Sequence, residues 1–406
     1  MKNEKQPEIR FPEYKEMWSQ RKFEDFISKA GKKNTVGKSY MAYSVSNKVG
    51  LVSQAEQFDG SRLDDLDKTS YKLVHPGEFA YNPSRINVGS IAFNNLSETV
   101  IVSSLYVVLK MSEKLDNEFI LQFIKSPIFN NEVRRNTEGS VREYLFFESF
   151  KNINFPFTSN KDEQTKIGEF FKLLDENIAI HEQELTTLKQ TKQGFLQKMF
   201  PKEGESVPEF RFSGFSGDWE VKTLKDIANY RRGSFPQPYG NKEWYDEEYG
   251  MPFVQVVDVD KNLKLVNNTK QKISELAQPK SVYVEAGKVV VTLQGSIGRV
   301  AITQYSSYVD RTLLIFENYK IPVDIYYFAY SIQLLFNREK MKAPGGTIKT
   351  ITKEALSSFL IFLPDMEEQF QIGNFFKQID EVIALKEKEL EVLKQTKQGF
   401  LQKMFA

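Results

Sequence analysis

The stretch GKKNTVGKS at 31–39 comes nearest, in this 406-residue chain, to a recognised chemical device. A glycine-bounded loop ending in lysine cradles nucleotide phosphates on its backbone N–H groups, but it needs four residues between its first two glycines and an apolar strand leading in. Here five residues separate Gly31 from Gly37 and no such strand precedes them, so a nucleotide site is not expected. Asp258, Asp260 and Asn262 open like a calcium loop, yet Leu263 stands where glycine should turn the chain and Thr269 where a bidentate glutamate belongs. The run Asp246, Glu247, Glu248 has no partner at metal-site spacing. Cysteine is absent and His75 and His181 are the only histidines, which removes thiol nucleophiles, zinc clusters and most histidine-based proton transfer. No GxSxG elbow, HExxH or dinucleotide fingerprint occurs. The expectation is a chain with no catalytic centre, no metal and no cofactor of its own.

Recognition chemistry remains. Between 28 and 48, Lys29, Lys32, Lys33, Lys38 and Lys48 meet no acidic residue, and Tyr40 and Tyr43 intervene. Between 229 and 245, Arg231 and Arg232 precede Gln237, Tyr239, Asn241 and Lys242 in a Pro- and Gly-rich loop. Arg, Lys, Asn and Gln read base edges, and Lys and Arg also neutralise phosphates, so both mixtures suit a nucleic acid; a solvated surface loop has the same composition. Two further stretches, VHPGEFAYNPSRINVG at 74–89 and VEAGKVVVTLQGSIGRVAI at 284–302, share a glycine, a short apolar strand, a polar pair and a glycine-bounded turn. They are expected to be equivalent, presenting Asn82, Ser84, Arg85 and Asn87 in one case and Thr292, Gln294, Ser296 and Arg299 in the other. Glycine turns at 136–144 and 342–350 add Arg142 and Lys349. Net charge is only +1, so any nucleic-acid contact must rest on such local patches.

The elements that would position these residues are set by a repeat. Residues 163–200 and 368–405 carry one 38-residue segment twice, 205 residues apart, matching at 27 of 38 positions and identical through KQTKQGFLQKMF. A weaker repeat opens each half: Pro7, Glu8, Arg10, Phe11, Trp18 and Asp25 answer Pro208, Glu209, Arg211, Phe212, Trp219 and Asp226. Each half therefore reads as an opener, a variable region of domain size and a repeated segment. The expected divisions are a globular domain at 1–155, a helix and linker at 156–207, a second domain at 208–362 and a second helix at 363–406. Residues 201–207 join helix end to opener in mid-chain as a link from Ala406 to Met1 would, so the architecture looks cyclically permuted. With 40% hydrophobic and 27% charged residues, no apolar run of about 18 and no cationic leader, membrane spanning and secretion are not expected, and cytoplasm is.

Both repeated segments show a heptad seam. In the first, Ile167, Phe171, Leu174, Ile178, His181, Leu185, Leu188, Lys192, Phe195 and Met199 follow steps of four and three; in the second, Ile372, Phe376, Ile379, Ile383, Lys386, Leu390, Leu393, Lys397, Phe400 and Met404 do. Paired polar breaks can fix register. Thirty-eight helical residues would span about 57 Å at 1.5 Å per residue, and if the halves are related by a twofold the helices run antiparallel. Gly194 and Gly399 cost each helix roughly 1 kcal/mol against alanine, which suggests close approach of another backbone or a local bend.

The EQ-x-x-IG-x-FF-K helices, the terminal LKQTKQGFLQKMF and the GxVVVTLxGSIGRVAI stretch resemble the specificity subunit of type I restriction-modification systems. The resemblance covers essentially the whole chain, most specifically the duplicated helix and opener. It implies an α+β fold: two mixed target recognition domains, about 12–155 and 213–360, joined by two long antiparallel coiled-coil helices with an internal pseudo-twofold. It further implies that each domain reads half of a bipartite, gapped site in double-stranded DNA. Two methyltransferase subunits carrying S-adenosylmethionine, and motor-nuclease subunits, would be the partners and would hold all catalysis. Read without the resemblance, two different heads on one symmetric ruler also fit a non-catalytic scaffold that grips protein clients.

Overall fold

The computed structural model describes residues 4–47, 50–57, 68–137, 144–342 and 353–406. The chain forms two compact units, one of Met1–Gln183 with Lys388–Ala406 and one of Glu184–Glu387. Two long helices, Lys161–Lys198 and Met366–Met404, each give one half to each unit.

In the first unit, Trp18–Lys22 pairs antiparallel with Asn154–Phe157, which ties the opener to the end of the variable region. A central sheet follows, in the order Ile27–Lys29, Val107–Met111, Phe79–Tyr81, Ile91–Phe93; a second has the order Gly50–Ser53, Ala42–Ser46, Val100–Val102, Lys72–Val74, with Ala42–Ser46 and Val100–Val102 parallel. Side chains alternate across the central sheet, as a strand's period of two requires. Phe79, Tyr81, Ile91, Leu109 and Met111 face the helices Asn117–Ile124, Pro127–Asn136 and Phe147–Lys151, whereas Ala80, Ala92 and Val108 face the second sheet. The unit is thus helices, sheet and sheet in layers.

The second unit repeats this topology with different residues. Glu220–Thr223 pairs with Leu360–Leu363; the central sheet runs Ala228–Arg232, Leu313–Tyr319, Val289–Thr292, Val300–Ile302; the other runs Gln271–Ile273, Met251–Val254, Ser307–Val309, Val282–Val284, again with one parallel pair, Met251–Val254 and Ser307–Val309. Val289, Val291, Val300 and Ile302 face the helix Ile325–Lys342, while Val290 and Ala301 face the second sheet.

Packing explains why the EQ-x-x-IG letters are duplicated. Glu163 is buried and accepts from Arg10 Nε and Nη2 at 2.6 and 2.9 Å, so the opener's arginine clamps the start of the first long helix. Arg211 clamps Glu368 in the same way at 2.6 and 2.7 Å. Gln164 accepts from the Asp116 N–H at 2.7 Å, and Gln369 from the Asp324 N–H at 3.1 Å, each docking a long helix on the residue that caps the helix of its own domain. A Cβ on Gly168 would lie 2.9 Å from Phe119 N, and one on Gly373 2.8 Å from Tyr327 N, so only glycine lets these helix ends approach.

The far ends dock equivalently. Leu401, Met404 and Phe405 enter the core of the first unit beside Ile167 and Phe171; Leu196, Met199 and Phe200 enter that of the second beside Ile372 and Phe376. The opener's Ile9 N–H donates to Lys403 O at 3.3 Å, and Phe210 N–H to Lys198 O at 2.8 Å, so the permuted link expected from the repeats appears as one hydrogen bond made twice.

Within the first unit Lys397 pairs with Asp175 and Lys394 with Glu182; within the second Lys386 pairs with Glu184 and Lys192 with Asp380. In each unit the partner's number falls as the other rises, so the helix halves run antiparallel. Lys192, Lys386 and Lys397 are seam polar breaks, each matched by a carboxylate on the facing helix. Of the seam residues, Ile167, Phe171, Leu185, Ile372, Phe376, Ile383 and Leu390 are buried, and Leu174, Ile178, Leu188, Phe195, Ile379, Leu393 and Phe400 half-buried. The backbone approach expected at Gly194 and Gly399 is not found: among the described residues nothing lies within 4 Å of a Cβ built at either, because both face away from the seam into open space.

Candidate nucleic-acid interface

The two glycine-bounded stretches are the same hairpin in the two units. In the first, residues 82–90 link Phe79–Tyr81 to Ile91–Phe93; in the second, 293–299 link Val289–Thr292 to Val300–Ile302. Each tip is built by a side chain turned onto backbone. Asn82 accepts from the Ser84 N–H at 3.1 Å and the Ser84 hydroxyl at 2.9 Å, which closes an Asx turn and leaves Arg85 and Asn87 exposed. Thr292, expected to project from its loop, is instead buried. Its hydroxyl donates to Ser296 O at 2.5 Å and accepts from the Arg299 N–H at 3.0 Å, because a tight turn must satisfy its own buried backbone groups. Gln294 and Ser296 stay exposed, and half-buried Arg299 reaches Val259 O at 3.4 Å.

The lysine-rich stretch does not form a phosphate loop: residues 34–41 turn without helix and lead into Ala42–Ser46. Lys32, Lys33 and Lys38 are exposed, Lys38 with its ammonium 5.2 Å from the Tyr40 ring centroid. Tyr43 is half-buried on the second sheet, opposite Ser53. In the second unit Arg231 and Arg232 are exposed at the end of Ala228–Arg232; Arg231 lies 3.9 Å from Glu317. Gln237 and Lys242 are exposed. Tyr239 is engaged inward: its hydroxyl donates to Asp310, its ring packs on Phe235, and the Arg311 guanidinium sits 5.2 Å above it. Burial first, then the Asp310 carboxylate, push its phenol well above the ordinary tyrosine value. Arg142 and Lys349 lie outside the described residues.

Two residues passed over in the sequence stand beside these. Tyr144 and Phe146 are exposed and stacked, with centroids 5.8 Å apart and planes at 5°, and Leu145 N–H between them donates to Pro83 O at 3.0 Å on the first hairpin loop. The signal was the alternation YLF, which sends Leu145 inward and its neighbours out.

The apparent calcium loop is structural. Asp258 is buried and accepts from the Gln255 and Lys270 N–H groups at 2.8 Å each; burial raises its carboxyl above the ordinary range despite these bonds. Leu263 takes the left-handed turn that glycine would, with φ 54°, and its side chain is buried. Among the described residues no group of three or more His, Asp or Glu could hold a metal, and no helix is long and apolar enough to cross a membrane.

Comparison with known proteins agrees with this architecture. The chain is 22% identical over 413 residues to the "Putative type I restriction enzyme MjaX specificity subunit" of Methanocaldococcus jannaschii, covering 96% of this chain and 93% of that one. A crystal structure of the type I restriction-modification S subunit from M. genitalium shares the fold with a TM-score of 0.62 at 14% identity, over 99% of both chains. A chain from a structure describing complex assembly and conformational transition of a type I R-M system gives a TM-score of 0.59 at 16% identity, over 95% of this chain and 96% of that one. The model of the type I restriction modification DNA specificity domain matches twice, at residues 15–190 and 216–395. Two matches that span most of both repeats place this chain in the type I restriction-modification specificity family.

Proposed function

We propose that this chain is the sequence-reading subunit of a type I restriction-modification complex, in which each unit's variable region reads one half of a bipartite, gapped site in double-stranded DNA. The observation that carries the reading is one sheet order built twice with different side chains at the equivalent hairpin tips: Arg85 and Asn87 in one unit, Gln294, Ser296 and Arg299 in the other. A reader of a palindrome needs identical domains; one scaffold with two sets of tips suits an asymmetric target. Residues 1–155 and 208–362 are the recognition domains, and 156–207 and 363–406 the spacer segments. Arg85, Asn87, Gln294 and Arg231 contact base edges, Lys32, Lys38, Arg232 and Lys242 contact phosphates, and the Tyr144–Phe146 stack packs against bases or sugars. Adenine methylation and cleavage belong to partners: two methyltransferase subunits, which carry S-adenosylmethionine, and the motor-nuclease subunits, all working in the cytoplasm.

The test is to express this chain with a methyltransferase subunit and map modified adenines in host DNA at single-base resolution. A new two-part motif with a constant gap, absent without this chain, is expected. Insertion of one heptad at Thr187 should change the gap and leave both half-sites intact. A co-purifying complex that methylates nothing new would refute the reading.

A further inference from the structure

Three lysines of the first unit, Lys29, Lys33 and Lys72, lie near one another. Lys33 and Lys72 are bridge partners on antiparallel backbone, an arrangement held by Leu73 N–H donating to Lys32 O and Asn34 N–H to Tyr71 O, both at 2.9 Å. Like charges directly opposite each other destabilise a sheet. Lys72 is half-buried, and its Nζ donates to Tyr106 O at 2.6 Å. Two residues further on, Val108 O accepts from the Ala30 N–H at 3.0 Å, which brings exposed Lys29 near enough for its charge to act on Lys72. Gly31 permits that approach, since a Cβ there would lie 2.6 Å from Val108 Cβ. Burial lowers the Lys72 ammonium below the ordinary lysine value, and the charges of Lys29 and Lys33 lower it further.

A chain with a net charge of only +1 could relieve this repulsion with one acidic neighbour, yet among the described residues no carboxylate pairs with Lys29, Lys33 or Lys72. We propose that these three lysines form a seat for one backbone phosphodiester of DNA, which sets the register of the first recognition domain on the duplex without reading a base. The seat is built where strands meet, whereas Arg85 and Asn87, assigned to base reading in the same unit, are at a hairpin tip. Lysine suits it as a compact point charge, since a phosphate held by three ammonium groups needs no bidentate fork. The inference rests on the DNA-recognition reading of the chain.

The experiment uses the full chain with its methyltransferase subunits and measures affinity between about 50 and 200 mM salt for a duplex bearing the mapped motif and for one lacking it. Lys72→Gln should weaken both duplexes by the same factor, reduce the slope of log K against log salt by up to about 0.9, the value for one whole phosphate contact, and leave the methylated motif unchanged. Lys29→Gln, at an exposed position, gives the same reading if the Lys72 variant folds poorly, and Lys72→Arg should retain the slope. An unchanged slope in both glutamine variants, or a motif altered at a base position, overturns the seat. A wild-type complex that neither binds DNA with salt dependence nor methylates overturns the DNA reading itself, and the seat with it.

Discussion

Replacing Glu163 by glutamine keeps the side chain's shape and removes its charge. The carboxylate is fully buried and accepts four hydrogen bonds: from Arg10 Nε and Nη2 at 2.6 and 2.9 Å, from Trp18 Nε1 at 3.1 Å and from the Thr158 hydroxyl at 2.9 Å. Arg10 is itself only 10% exposed, so the variant leaves a largely buried guanidinium without its counter-charge. Breaking a buried pair in this way costs about 3–5 kcal/mol, against about 0–1 kcal/mol for an exposed pair. Glu368→Gln in the second unit should cost less, roughly 1–3 kcal/mol. There Arg211 keeps Gly217 O at 2.7 Å and Ser216 O at 3.2 Å as acceptors, and Trp219 Nε1 does not depend on the carboxylate. Hydrogen exchange resolves the two units: Glu163→Gln should lose protection in Trp18–Lys22 and Asn154–Phe157, and Glu368→Gln, to a smaller extent, in Glu220–Thr223 and Leu360–Leu363. A loss below about 1 kcal/mol for Glu163→Gln, or equal losses for both, would refute the clamp as drawn.

Helix glycines should divide by environment. Gly168→Ala and Gly373→Ala should lower Tm, since each Cβ meets backbone nitrogen within 3 Å, whereas Gly194→Ala and Gly399→Ala, in open space, should raise the stability of the chain alone by about 1 kcal/mol each; unfolding curves of the four variants decide. Asp175 should make the first unit acid-sensitive. Burial alone would raise its carboxyl, but Lys125 and Lys397, with hydrogen bonds from Lys397 and Gln122, outweigh burial and hold it below the ordinary value. Its contribution is therefore complete above the unfolded pKa of about 3.9 and is lost as pH falls through the lower folded value. The stability gap between wild type and Asp175→Asn should be constant near neutrality and close on acidification; a gap independent of pH would contradict it. Arg85→Ala should relax the half-site read by the first unit and Arg231→Ala the other, each by about 1–3 kcal/mol per lost base contact; methylation maps in which either variant alters both halves would refute the division of labour.

Much of this molecule was legible in the chain before folding because it is local. A heptad places seam residues on one helix face whatever surrounds it, and a strand of period two divides its side chains between two layers, so the long helices and the paired apolar hairpins follow from spacing alone. The duplication likewise announced one frame holding two different contents. The uses of individual polar residues were not legible, since each depends on a partner far away in sequence. Arg10 and Glu163 meet across 153 residues, and nothing near either one says so. Asn82, Thr292 and Tyr239 have the composition of exposed readers, but the turns and carboxylates that fold beside them draw their polar atoms inward. Lys72 carries no signal of its own in the sequence; only the bridge to Lys33 sets two lysines opposite each other. Backbone periodicity is dictated by neighbours within a turn or two, whereas the burial and pairing of a charge are decided by whatever the whole fold brings against it.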